Sequence, residues 1–176
     1  MKKLPLVLAT VAAAATILVA SPAAHAQVHH DLTFSFGADQ YVGTVPTALD
    51  RQIAAALAAA AAQILADLNA GTLTDPNGAE ISDDAQALVL GVIQGNIPPE
   101  DIQAILLNSG AEGPSEEVAK ALVNLLTNPQ AGQVAAFIGH FNELVMNASP
   151  AFLANPPDVF RAIWAIATQL GQAATP

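Results

Sequence analysis

The sequence predicts an all-α fold: a bundle of five to six helices with a short N-terminal strand or arm and one small β-hairpin. Three observations carry this. Apolar residues recur at spacings of three and four through most of the chain, which is the period of one helix face. Proline, glycine and acidic residues interrupt that pattern at regular intervals, where helices start and stop. Hydrophobic residues make up 53% of the 176 residues and cysteine is absent, so a packed core without disulfides must hold the fold.

The first 26 residues are of a different kind. Met1-Lys2-Lys3 is positive, Leu4 to Ala20 is apolar and uncharged, Ser21-Pro22 breaks the run, and Ala24-His25-Ala26 is a small-x-small cleavage pattern. Residues 1–26 therefore read as a secretory signal peptide, and a secreted or periplasmic location by a Sec-type route is expected. Removing them leaves 150 residues, the size of one domain.

Residues 27–45 read as an extended arm, in which Leu32-Thr33-Phe34-Ser35-Phe36 alternates apolar and polar like a strand. The helical domain spans 46–176. Its first helix is predicted from Pro46 to Leu68, with Thr44 or Thr47 at its cap and Gly71 past its end. Leu49, Ile53, Leu57, Ala60, Ile64 and Leu68 form its apolar stripe. The alanines of Ala54 to Ala62 favour helix strongly and are small enough for another helix to approach closely. Asp75-Pro76-Asn77-Gly78 is a turn sequence, and the short runs on either side of it are placed to pair as the hairpin.

Four further proline- or acid-initiated segments follow the helix that opens at Ser82-Asp83-Asp84 and turns Leu88, Val89 and Val92 inward. Pro98-Pro99-Glu100-Asp101 opens one that buries Ile102, Ile105 and Leu106. Ser115-Glu116-Glu117 opens the next, with Val118, Leu122, Leu125 and Leu126 inward. After Pro129, Val134, Phe137, Ile138, Phe141, Leu144 and Val145 make the clearest stripe in the chain, which Pro150 closes. The last helix, Pro157 to Leu170, is apolar on nearly every side, so it is either central in the bundle or covered by a partner.

Charge narrows the function. After loss of the signal the chain keeps three cations (Arg51, Lys120, Arg161) against 15 carboxylates, a net of −12. Such a surface repels phosphate backbones and anionic lipids, so no nucleic-acid partner is expected, nor membrane insertion after signal cleavage. The longest apolar mature run, Ile53 to Ala66, is shorter than the roughly 20 residues a bilayer needs.

Three constellations carry candidate chemistry. Cleavage after Ala26 exposes Gln27-Val28-His29, whose α-amine, backbone amides and imidazole can form a square-planar nitrogen site for Cu(II) or Ni(II). Asp75, Asn77, Glu80, Asp83 and Asp84 offer oxygen at short spacing. They depart from a calcium loop in the place of glycine and in the missing closing glutamate, and they read as a turn and a helix start. In the last third, Phe137, His140, Phe141, Phe160 and Trp164 are the candidate ligand-contacting set, since bundle interiors are common ligand sites. No Gly-x-Ser-x-Gly setting or phosphate loop occurs. The leading expectation is an exported helical module without catalytic activity that binds a protein partner or an apolar small molecule. The alternatives are a Cu(II)/Ni(II)-binding protein and an enzyme of unknown type, for which His140 is the one candidate seed.

Overall fold

The computed structural model describes residues 46–111 and 113–175. The signal segment 1–26 and the arm 27–45 with its strand pattern lie outside the described residues. Seven helices follow in order: α1 (Ala48–Ala70), α2 (Asp83–Ile93), α3 (Pro99–Asn108), α4 (Ser115–Leu122), α5 (Ala131–Asn147), α6 (Pro150–Ala154) and α7 (Asp158–Ala174). Six answer the six predicted segments. The seventh, α6, is a turn and a half, started by the same Pro150 that ends the preceding stripe, with Ser149 Oγ accepting from Phe152 N at 3.1 Å.

Helix α7 is the centre of the bundle. It packs on α1, α2, α5 and α3, and it buries Val159, Phe160, Ala162, Ile163, Ala165, Ile166, Ala167, Leu170 and Ala174. Its apolar surroundings on most sides are therefore supplied by the chain itself. The alanines let the flanking backbones come close without voids.

Local chemistry sets the helix ends. In α1 a capping box joins Thr47 and Asp50: Asp50 N donates to Thr47 Oγ1 at 3.1 Å and Thr47 N donates to Asp50 Oδ2 at 2.7 Å. Gly71 ends α1 in the left-handed region (φ 68°), where a side chain would be strained, while Thr72 N returns to Asp67 O at 2.9 Å. The buried stripe of α1 is Ile53, Leu57, Ala61, Ile64 and Leu68. Leu49 is 47% exposed, because it sits in the first turn beyond the packed length, and Ala60 stands at the stripe's edge. Most alanines between Ala54 and Ala62 face outward, so helix propensity, rather than close packing, accounts for them there. By length and composition α1 could cross a membrane, and its inward stripe lies against α7 and α2.

The hairpin is reduced to one antiparallel bridge, Thr74 with Glu80, across the Asp75–Gly78 turn. The reason is Gln86. Its side chain is buried, and it takes the two backbone groups that a longer ladder would have paired: Leu73 N donates to Oε1 at 3.0 Å, and Nε2 donates to Ile81 O at 2.8 Å. One carboxamide thus closes the loop onto α2. Substitution of Gln86 by leucine is expected to cost about 2 kcal/mol by leaving a buried N–H and a buried C=O unpaired. Urea unfolding would measure it, and histidine-free surface positions on α2 such as Ala87 would serve as controls.

Helix α4 ends at Leu122, earlier than the stripe suggested, and Leu125 and Leu126 are buried from the turns that follow. Asn124 takes a left-handed conformation (φ 62°), which asparagine tolerates, and its N–H donates to Ile93 O at 3.3 Å. This bond ties the α4–α5 connection to the end of α2 and sets α4 beside α5.

Candidate functional site

The structure places the sequence-chosen residues in two different environments. Phe137, Phe141 and Phe160 are core residues, each 5% exposed or less. Phe141 stacks on Phe160 with centroids 5.4 Å apart, and Phe152 meets Phe160 edge-on at 4.9 Å. These rings fill the joint between α5, α6 and α7. Trp164 is half-buried and packs against the same core. His140 departs from the set. It lies at the edge of the α5 stripe, half-buried, and lines an open groove between α4 and α5.

That groove has a volume of about 400 Å³ and is lined by Glu117, Lys120, Ala121, Val123, Leu125, Gln133, Ala136 and His140. Its floor is apolar, with Leu125 buried and Ala121 and Val123 half-buried. Its rim is polar and comes from both helices: Glu117 and Lys120 stand one turn apart on α4, and Gln133 and His140 stand two turns apart on α5. Lys120 is the only lysine and His140 the only histidine among the described residues. Glu116 forms an i,i+4 ion pair with Lys120, and that hydrogen bond raises the ammonium above its ordinary pKa, so Lys120 carries a full charge at neutral pH. Both partners are about half exposed, and an ion pair of that kind is weak enough for a ligand carboxylate to compete.

Sequence reasoning reached His140 but not the rest of the groove. Lys120 offered a signal in being the only lysine beyond residue 3. Its place on one groove with a histidine 20 positions on depends on how the α4–α5 connection folds back, which no local pattern encodes.

The acidic loop is held by arginine. Asp75 is 7% exposed; its Oδ1 accepts from Asn77 N and Ala79 N, each at 2.9 Å, and its Oδ2 accepts from Arg161 Nε at 3.0 Å. Arg161 also donates to Asp158 Oδ1 at 2.7 Å and to Glu80 O at 2.9 Å. Asp158 in turn accepts from Ser82 N at 3.1 Å. The bonds from Ser82, then those from Arg161, hold the Asp158 carboxyl below its ordinary pKa. Asp83 and Asp84 stand in the first turn of α2, where the helix dipole favours them. A guanidinium thus occupies the position that a cation would need, and the loop reads as a latch between α7 and the turn.

No group of three or more metal-ligating side chains is assembled among the described residues. Gln27, Val28 and His29, the candidate Cu(II)/Ni(II) ligands, lie outside those residues. Compared with known proteins, the chain matches no family model, no curated protein and no solved structure.

Proposed function

We propose that the chain is an exported, non-catalytic helical module that binds a small amphiphilic molecule in the α4–α5 groove. The observation that carries this is that the only lysine and the only histidine among the described residues line one groove of about 400 Å³ with an apolar floor. That volume falls in the range of about 300–1,000 Å³ that small-molecule sites occupy. The secretory character of residues 1–26 supports the exported half of the reading.

Native mass spectrometry of the protein purified from its own host tests the proposal. A retained small molecule is expected on the wild-type chain, and it should be lost from His140→Ala while thermal unfolding stays unchanged. His140 is half-buried at the groove's edge rather than in the core, so its removal should cost little stability. Retention of the same molecule by His140→Ala and by Leu125→Ser would refute a site in this groove.

A further inference from the structure

Resting on the groove as the binding site, we propose that its ligand is a free aliphatic α-amino acid: a zwitterionic head with a branched hydrocarbon tail. The rim of α4 presents opposite charges side by side. Glu117 and Lys120 are three residues apart on one helix, a spacing that brings their Cβ atoms to about 5–6 Å and lets their charged ends converge on one small head group. An α-amino acid carries its ammonium and carboxylate on a single carbon, which suits that spacing.

The alternatives fail on charge. A simple anion would find Lys120, but beside it stand Glu117, Glu116 and Glu100, all close enough to act on the Lys120 ammonium. The net charge of −10 also repels it over a longer range. A simple cation is drawn by the overall charge, yet it meets the Lys120 ammonium at the rim. A zwitterion answers both groups, with its carboxylate toward Lys120 and its ammonium toward Glu117. Gln133 and His140 line the opposite rim from α5, where the carboxamide and the imidazole can add hydrogen bonds to the same head group.

The tail is set by the floor. Ala121, Val123, Leu125 and Ala136 are aliphatic, and the lining holds no phenylalanine, tyrosine or tryptophan, its one ring being the His140 imidazole at the rim. Leucine, isoleucine or valine side chains match that surface. A peptide does not fit the same argument, because either end of a peptide offers the rim only one of the two charges.

The experiment is a titration of isotope-labelled full-length protein, read by nuclear magnetic resonance at the His140 ring. The probes are leucine, its decarboxylated amine (3-methylbutylamine), its deaminated acid (4-methylpentanoate) and glycine. Leucine should produce saturable shifts. The amine, the acid and glycine should bind about tenfold more weakly or less, since each lacks one charge-assisted contact or the tail. Glu117→Gln, at an exposed position that leaves the fold intact, should weaken leucine about tenfold and leave 4-methylpentanoate no weaker. Equal binding of the acid or the amine would overturn the assignment, as would silence from leucine, isoleucine and valine together. If those three are silent while a host molecule is still lost from His140→Ala, the ligand class falls and the binding role stands. If both experiments are silent, both fall.

Discussion

Replacing Arg161 with alanine is expected to lower the unfolding free energy by about 3 kcal/mol, the scale for removing one member of an ion pair that has given up most of its water. Arg161 keeps 19% of its side-chain surface and Asp75 keeps 7%. Without the guanidinium, Asp75 Oδ2 is left as a buried charge with no donor, and Glu80 O loses its side-chain bond. The effect should reach residues far from position 161 in sequence. Arg161 bonds both sides of the bridged turn, at Asp75 and at Glu80, to α7, so amide exchange in residues 73–81 should rise more than the global loss explains. Arg161→Lys should recover only part of the loss, because an ammonium cannot reproduce a fork that reaches Asp75, Asp158 and Glu80 together. A double-mutant cycle with Asp75→Asn, followed by urea unfolding, would isolate the coupling.

The same latch gives the acid limb of stability its sign. Asp158 titrates below its ordinary value of 3.8 in the folded state, because Ser82 and then Arg161 donate to it. Its contribution is fully present above that ordinary value and is lost as pH falls through the depressed folded value. Asp158 is partly exposed, so the effect is small: Asp158→Asn should lower stability slightly at neutral pH, flatten the curve below about pH 4 and converge with wild type at the acid end.

Much of the fold could be read in the sequence because its signals are local. The α5 stripe from Val134 to Val145 is buried residue for residue as its spacing predicts, since a seventeen-residue helix with one apolar face has a single way to hide it. The Thr47 cap and the Gly71 stop are equally local. What escaped depends on distant partners. Gln86 looks like a surface residue on a helix until the two arms of the turn are brought to it. Asp75 looks like a candidate cation ligand until α7 delivers Arg161 from 86 positions away. The groove escaped for the same reason: His140 was legible as an unusual residue on an apolar helix, whereas its neighbours Lys120 and Glu117 join it only through the fold. The phenylalanines were legible as apolar, but their periodicity could not say whether they lined a cavity or filled it.

Phe160 tests that last distinction directly. Phe160→Ala is expected to destabilise the protein by about 4 kcal/mol, the usual cost of emptying a packed phenylalanine site. The ring is 5% exposed, with Phe141 stacked on one side and Phe152 edge-on at another, so truncation removes two aromatic contacts worth about 0.5–1.5 kcal/mol each besides the buried surface. For a domain of this size the midpoint of thermal unfolding should fall by about 15 °C. Phe160→Leu keeps most of the volume and should lose less than half as much. Trp164→Ala, at a half-buried position, should also lose less than Phe160→Ala. If these rings were instead the walls of a ligand cavity, truncation would leave stability nearly intact and abolish binding. A core role predicts the reverse: a large fall in stability, with the surviving folded fraction still shifting at His140 when ligand enters the α4–α5 groove.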